Sequence, residues 1–298
     1  PYDEFSMFHE NADEFGIPYP GQPTVRREFV EVDPGRRMSA LVWGEAEPDL
    51  VLLHGGAQNA HTWDTVALAL DRPLVAVDLP GHGHSDGARR GAYDPESNAG
   101  DVAAVVRALA PQARAVVGMS LGGMTALALA RLAPGPVRSL VLVDITPGVD
   151  ERKAAGIVAF IAGPESFPSF DELLARTVEF NPTRTVSSLR RGILHNAVQR
   201  DDGTWVWRHA RHRTGDAAPS PRPDFAALWD ALSDHTGPVM LVRGMLPQSV
   251  VDDADEAELR RRRPDARVAH VEGAGHSVQG DTPVELARLV ADFVGPPG

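Results

Sequence analysis

The stretch Gly118-Met119-Ser120-Leu121-Gly122 decides how this chain of 298 residues folds. The apolar run at residues 115–118 predicts a buried strand before it, and the pattern at 121–132 predicts a helix after it. In a strand-turn-helix context, G-x-S-x-G forms a turn so tight that the residues two before and two after the serine must be small, and both are glycines here. The turn lifts the serine hydroxyl above the sheet beside a helix N-terminus, so we predict Ser120 to be a nucleophile.

Apolar runs elsewhere in the chain alternate with helical patterns, which indicates parallel strands joined by crossover helices. Most runs are rich in valine, leucine and alanine, as is typical of strands covered on both faces. The first two carry alternating polar residues and predict a hairpin at the sheet edge. We predict an α/β fold with a mostly parallel, eight-stranded sheet and helices on both faces. The predicted strands are residues 27–32, 38–43, 50–54, 74–78, 115–118, 139–144, 239–243 and 268–271, and the core helices include 96–109, 121–132, 254–263 and 283–294.

The segment between the sixth and seventh predicted strands breaks this alternation. It contains helix-like patterns at residues 150–161, 169–180 and 185–198. Such an insertion between two core strands predicts a helical cap folded over the carboxyl edge of the sheet. We therefore expect four segments, namely a loose N-terminal extension at 1–24, a core formed by 25–146 and 236–298, and the cap at 147–235.

Two glycine-rich loops follow predicted strands and would meet the serine at the same edge of the sheet. In the sequence His54-Gly55-Gly56, the lack of side chains lets the backbone N–H of Gly56 point at an anion, and with the N–H of Leu121 it would form an oxyanion hole. In Gly273-Ala274-Gly275-His276-Ser277, the histidine follows the last strand, from where it can reach the serine as a general base. We therefore predict His276 to be the base of the site.

These motifs, in this order, resemble the α/β-hydrolase superfamily. The resemblance rests on the run Val51-Leu52-Leu53-His54-Gly55-Gly56, the turn Asp78-Leu79-Pro80-Gly81-His82-Gly83-His84-Ser85, the Ser120 turn and residues 273–276. Within the superfamily, the chain is similar to the capped branch that includes carboxylesterases, enol-lactonases, meta-cleavage-product hydrolases and cofactor-free dioxygenases. The resemblance implies the α/β-hydrolase fold with a cap after the sixth strand, the chain order serine, acid, histidine, and no cofactor.

Two aspartates are candidates for the acid that would orient His276. In many relatives it follows the strand equivalent to residues 239–243, about three residues beyond a glycine, where this chain has Pro247. Asp144 ends the preceding strand at the same sheet edge, and some capped relatives take their acid from this place. Asp252, at the start of the next helix, is the alternative. We predict Asp144, because the acid has only to hydrogen-bond the histidine and fix its tautomer.

A serine nucleophile predicts attack on the carbonyl of a carboxylic ester or lactone, with an acyl-enzyme that water then releases. A cap predicts a partly enclosed, mainly apolar pocket for a small molecule, and its candidate lining residues are Gly55, Trp63, Met119, Trp205 and Trp207. Three alternatives keep the same fold, which by itself decides none of them. They are C–C bond hydrolysis of a vinylogous diketone, cofactor-free oxygenation by the histidine and aspartate, and non-catalytic binding.

Composition and charge limit the classes of molecule that this protein is expected to bind. The net charge of −12 argues against nucleic acid and against an anionic membrane surface. The chain has no cysteine, and the pairs His82/His84 and His209/His212 have no carboxylate or cysteine beside them, so we expect no metal. The sequence also has neither an apolar run long enough to span a membrane nor a visible leader. We therefore expect a cytoplasmic monomer or homodimer that acts on a small-molecule substrate.

Overall fold

A computed structural model describes residues 2–88, 93–209 and 223–297. The strands in these ranges are β1 (Val25–Asp33), β2 (Arg36–Trp43), β3 (Leu50–Leu53), β4 (Leu74–Val77), β5 (Ala115–Met119), β6 (Leu140–Val143), β7 (Ser166–Phe167), β8 (Ala197–Gln199), β9 (Trp205–Trp207), β10 (Val239–Gly244) and β11 (Arg267–Val271). Eight of them form one sheet in the order β1-β2-β4-β3-β5-β6-β10-β11. The pairs β1–β2 and β2–β4 are antiparallel and all other neighbours in this sheet are parallel, which confirms the predicted mostly parallel sheet with a hairpin at its edge.

Helices cover both faces of this sheet. In chain order they are α1 (Phe8–Phe15), a 3₁₀ helix (Ala60–Trp63), α2 (Asp64–Leu70), α3 (Pro95–Leu109), α4 (Leu121–Leu132), α5 (Ala155–Ile161), α6 (Phe170–Phe180), α7 (Val186–Asn196), α8 (Phe225–Asp234), α9 (Asp253–Arg262), α10 (Val278–Asp281) and α11 (Pro283–Val294). Among the described residues, no helix has the length and hydropathy needed to cross a lipid bilayer.

The sheet carries one apolar core on each face, because successive residues of a strand point to opposite sides. In β3, Val51 and Leu53 pack into the core that contains residues of α3, α4 and α8. Leu50 and Leu52 of the same strand pack into the core beneath α1, α2 and α11. All four side chains are fully buried, which explains why this strand reads as an uninterrupted apolar run.

The insertion between β6 and β10 contains a second sheet as well as helices. The helix predicted for residues 185–198 ends at Asn196, and β8 follows it directly. Strands β7, β9 and β8 form a three-stranded antiparallel sheet in that order. Phe167, Leu173, Ile193 and Trp207 form its own small core. Helix α8 falls within the range that we expected for the cap, but it packs on α4 and contributes to the core of the main sheet.

The N-terminal segment is packed against the rest of the molecule, contrary to the loose extension expected from sequence. Phe8 and Ala12 of α1 are buried in the core beneath the sheet. Asn11 accepts a hydrogen bond of 2.8 Å from Nε of Arg191 in α7, and Glu14 forms an ion pair with the same guanidinium. The segment therefore joins the core to the insertion. The sequence pattern missed this because an eight-residue helix with few apolar positions gives a weak signal.

Candidate active site

Ser120 lies in the turn that connects β5 to α4. Its backbone has φ 51° and ψ −118°, a conformation that costs a non-glycine residue on the order of 1–3 kcal/mol. A Cβ at Gly118 would lie 2.5 Å from the carbonyl oxygen of Gly122, and one at Gly122 would lie 2.2 Å from the carbonyl oxygen of Leu53. These contacts are with backbone atoms that cannot move aside. The two glycines are therefore what lets strand and helix approach closely enough to hold the strained turn.

His276 and Asp144 form a buried hydrogen-bonded pair at the same edge of the sheet. Nδ1 of His276 lies 2.9 Å from Oδ2 of Asp144, which is fully buried directly after β6. Nε2 of His276 is buried and has no hydrogen-bond partner among the described residues. Because the carboxylate can accept the proton on Nδ1, it selects the tautomer in which Nε2 carries a lone pair. The free nitrogen is thus the one suited to act as a base.

The carboxylate of Asp144 is held by the loop after β10. The backbone N–H of Gly244 donates to Oδ1 over 2.9 Å and that of Val250 donates to Oδ2 over 3.0 Å. The hydroxyl of Ser249 donates to Oδ1 over 2.6 Å. This is the loop in which Pro247 stands where many relatives have their acid, so in this chain it supplies donors to an acid on the neighbouring strand. Ser249 was not identified from the sequence, where no local pattern distinguishes it.

The alternative acid, Asp252, does not contact His276 and has a different role. Its side chain, 44% exposed, accepts a hydrogen bond from the N–H of Asp255 and caps α9 in a reciprocal capping box. It also forms an ion pair of 3.0 Å with Lys153. Burial alone would raise the pKa of Asp252, but the bonds from Lys153 and Asp255 lower it below its usual value. Asp252 is therefore a helix cap, and of the two candidates the structure brings only Asp144 to the histidine.

The two predicted oxyanion donors, Gly56 and Leu121, lie close to Ser120 in the chain or in the fold. The N–H of Leu121 is at the first position of α4, where no acceptor within the helix exists. Gly56 follows Gly55, whose own N–H donates to Oε1 of Gln58 over 3.0 Å. A Cβ at Gly55 would lie 3.3 Å from Cβ of Ser120, which places this loop directly against the serine. The predicted donors Gly56 and Leu121 therefore flank Ser120, on the loop and on the helix.

The turn at residues 78–85 is hydrogen-bonded to residues 57 and 60, next to the loop at residues 54–58 that carries Gly56 and is called the oxyanion loop below. Asp78 is buried and accepts hydrogen bonds from the N–H groups of Ala60 (2.8 Å) and His84 (3.0 Å). Nε2 of His82 accepts from the N–H of Ala57 over 3.1 Å. The imidazole of His82 thus makes structural hydrogen bonds to the backbone, whereas His84 takes part through its own backbone N–H. The second histidine pair weighed as a metal site is His209 and His212, of which His212 lies outside the described residues.

A cavity of about 120 Å³ lies between the oxyanion loop, the 3₁₀ helix, α7 and α10. Gln58 and Gln279 line it next to the candidate site, and most of its other lining residues are polar, which differs from the expected apolar pocket. Of the five pocket candidates, Trp207 lines this cavity and the other four do not. Trp63 and Met119 are buried in the core beneath the sheet, Trp205 packs on Phe170, and Gly55 lies in the loop against Ser120.

Among the described residues, one cluster of side chains has donor atoms close enough together to hold a metal ion, and it lies in the cavity wall. They are His61, Asp64 and His195, with ligand atoms within 4.8 Å of one another. Nδ1 of His61 is hydrogen-bonded to Asp64 over 2.9 Å, and the His61 and His195 rings stack at 3.8 Å with 10° between their planes. Burial alone would lower the pKa of His61, but the carboxylates of Asp64 and Glu4 raise it to about 9. In the described structure these residues form a network of hydrogen bonds with Glu4, and a metal ion bound here would have to displace the proton of His61.

Comparison with known proteins agrees with this architecture. The model of the alpha/beta hydrolase family matches residues 50–289. The chain is 47% identical over 300 residues to esterase Rv0045c of Mycobacterium tuberculosis, covering 97% of this chain and 96% of that one. It is 30% identical over 250 residues to a 2-(acetamidomethylene)succinate hydrolase of Mesorhizobium japonicum, covering 83% and 88% of the two chains.

Solved structures give the same result. A structure of the M. tuberculosis esterase superposes with a TM-score of 0.84 at 46% identity and 98% coverage of both chains. A structure of E-2-(acetamidomethylene)succinate hydrolase superposes with a TM-score of 0.79 at 26% identity, covering 91% of this chain and 99% of that one. The chain therefore belongs to the alpha/beta hydrolase family and to its esterase branch.

Proposed function

We propose that this protein is a serine hydrolase that cleaves carboxylic esters of a small molecule through an acyl-enzyme. The observation that carries the proposal is the buried hydrogen bond between His276 and Asp144, with Nε2 of His276 left without a partner. A histidine oriented in this way is a base that lacks only its proton donor. Ser120, on the strained turn at the same sheet edge, is the hydroxyl that would supply the proton.

The proposed reaction proceeds in two halves. Nε2 of His276 accepts the proton of Ser120 as Oγ attacks the ester carbonyl, and the N–H groups of Gly56 and Leu121 stabilise the oxyanion that forms. His276 then donates its proton to the departing alcohol, which leaves an acyl group on Ser120. A water molecule, deprotonated by His276, attacks this acyl-enzyme and releases the acid. Asp144 stays ionised throughout and stabilises the imidazolium that forms in each half.

The experiment that tests this proposal is covalent labelling of Ser120. A fluorophosphonate probe should label the parent protein at Ser120, and both labelling and turnover of p-nitrophenyl butyrate should be lost in Ser120→Ala. Ser6→Ala is a matched control, because Ser6 is exposed and its hydroxyl donates only to the backbone oxygen of Asp3. If the folded parent were not labelled, or if Ser120→Ala turned over the ester at the parent rate, the acyl-enzyme would be refuted.

A second candidate is cofactor-free oxygenation, which the pairing of His276 with Asp144 favours because these two residues alone can deprotonate a substrate. In that reaction the serine need not form a covalent bond. Oxygen uptake that persists in Ser120→Ala but is lost in His276→Ala would support it. Loss of all turnover in Ser120→Ala would instead support ester hydrolysis, or the C–C hydrolysis that uses the same serine.

A further inference from the structure

Arg184 is a partly buried cation in the cavity wall, and none of the described carboxylates lies within ion-pair distance of it. It lies just before α7, and its Nε is buried and has no hydrogen-bond partner among the described residues. Its terminal nitrogen donates to the hydroxyl of Ser188 over 2.6 Å, and no acidic side chain lies within ion-pair distance of it in the described ranges. Burial also lowers the pKa of Arg184 below its usual value, as expected for a guanidinium that lacks a counter-ion.

The neighbouring cavity arginine shows the usual arrangement. Arg191 forms an ion pair with Glu14 and donates a hydrogen bond of 2.8 Å to Asn11. A charge that is partly removed from water without such a partner loses part of its hydration free energy, and a bound anion would compensate for that loss. Among the acids, Asp281 raises the pKa of Arg184 the most. Its two oxygens accept hydrogen bonds from the N–H of Gly275 and the hydroxyl of Thr183, each at 2.8 Å, and none from Arg184.

Arg184 is also close in the fold to the catalytic candidates. A Cβ at Gly280 would lie 2.8 Å from Nε of Arg184, so the guanidinium packs directly on α10. Gly280 follows His276 by four residues, which limits the distance between their Cα atoms to about 15 Å. Gln58 lines the same cavity and is hydrogen-bonded to the loop against Ser120. Ser120 and His276 do not themselves line the cavity, so an acyl chain on Ser120 would have to pass Gln58 or Gln279 to reach Arg184.

We propose that Arg184 binds a carboxylate of the substrate, so that the enzyme prefers esters whose acyl chain ends in a carboxylate. The preference for such an ester rests on the proposed function of Ser120. The ligand would supply a counter-ion within hydrogen-bond distance, and the terminal nitrogens of the guanidinium would donate to it. Nearby polar groups of the cavity wall, such as the amides of Asn181 and Gln279, would complete the hydrogen bonds of the carboxylate.

The test compares two substrates of equal acyl length. The anionic one is the mono-p-nitrophenyl ester of glutaric acid, and the neutral one is p-nitrophenyl pentanoate. We expect the ratio of kcat/KM for the anionic ester to kcat/KM for the neutral ester to fall roughly 10- to 100-fold in Arg184→Gln, since a hydrogen bond to a charged group is lost. Arg184→Lys should recover part of this ratio, because it keeps the charge but not the planar donor pair.

Arg190→Gln is the matched control, because Arg190 is the adjacent exposed arginine of α7 and pairs only at the surface with Glu10, over 3.2 Å. The ratio should be the same in this variant as in the parent. An equal ratio in the parent, Arg184→Gln and Arg190→Gln, with all three folded, would overturn the proposed specificity.

A binding measurement separates this inference from the proposed reaction. Glutarate is titrated calorimetrically into Ser120→Ala and into the same protein that also carries Arg184→Gln. We expect at least tenfold weaker binding in the double variant. If no ester were hydrolysed at Ser120, the proposed function would fail, but Arg184-dependent binding of glutarate would still support a carboxylate site. Equal affinity in the two proteins would refute the carboxylate site whatever the reaction proves to be.

Discussion

Replacement of Asp144 by asparagine tests the candidate acid, which follows β6 here and not β10 as in many relatives. The substitution preserves the volume of the side chain but removes its charge and one of its two acceptors. The carboxylate accepts four hydrogen bonds, from Gly244, Ser249, Val250 and His276. An amide has only one acceptor oxygen, so either of its orientations turns its NH₂ group toward at least one backbone N–H. At least one buried donor is therefore left unsatisfied, at a cost of about 1–3 kcal/mol in stability.

The effect on catalysis follows from the lost charge. The carboxylate lies 2.9 Å from Nδ1 of His276 and stabilises the imidazolium that forms during the reaction. Two unit charges about 4 Å apart attract by about 4 kcal/mol at an effective dielectric constant of about 20. Loss of that attraction corresponds to roughly a 10³-fold fall in kcat, and a wrong tautomer of the histidine can bring the loss to about 10⁴-fold. We therefore expect a 10³- to 10⁴-fold fall in Asp144→Asn.

The assay measures kcat for p-nitrophenyl butyrate together with thermal unfolding, so that inactivity caused by misfolding is recognised. Asp252→Asn is the matched control. Asparagine caps a helix about as well as aspartate, and this side chain is 44% exposed, so kcat should stay within about twofold of the parent. A folded Asp144→Asn that kept more than about a tenth of the parent kcat would refute the assignment, and a large fall in Asp252→Asn would point to the other acid.

Two further predictions concern the oxyanion loop and the polar network beside it. In Gly55→Ala, the new Cβ would lie 2.5 Å from Sδ of Met119, so we expect the free energy of unfolding to fall by about 1–3 kcal/mol and kcat to fall with it. Gly100→Ala in α3 meets no atom within 4 Å, and denaturant titration should show it unchanged or more stable. Because the folded pKa of His61 is raised to about 9, its stabilising charge is fully present below the unfolded value of about 6.5 and is lost as the pH rises through 9. Between these pH values the free energy of unfolding of the parent should fall by on the order of 3 kcal/mol, and His61→Gln should lack this fall. If the free energy of unfolding of the variant fell with pH in parallel with that of the parent, the prediction would be contradicted.

The strand order places the three candidate catalytic residues at one edge of the sheet. Ser120 follows β5, Asp144 follows β6 and His276 follows β11, and all three strands are parallel members of one sheet. Carboxyl ends of parallel strands meet at the same edge, which is why residues far apart in the chain converge. Strand β10 lies between β6 and β11 in the sheet. Its last residue and the loop after it stabilise the acid through the N–H groups of Gly244 and Val250 and the hydroxyl of Ser249.

The sequence by itself determined the features whose physical cause is local. The turn around Ser120 requires glycines because backbone atoms of Leu53 and Gly122 occupy the space of any Cβ, and that requirement is visible as a motif. The strands that cross the middle of the sheet are predictable because burial on both faces leaves only apolar side chains in the run. The same reasoning located His276, since a glycine-rich loop after the last strand is also a local pattern.

Only the tertiary structure decided which side chains meet across long separations in the chain. Asp144 and Asp252 are both acids near predicted element ends, and the choice between them depends on contacts made 132 residues away, at His276. The polarity of the cavity and the unpaired state of Arg184 likewise depend on whether distant acids arrive within reach. A local pattern records the burial and backbone conformation of its own residues. The partner of a buried charge is set by how strands and helices pack, and this information exists only once the chain has folded.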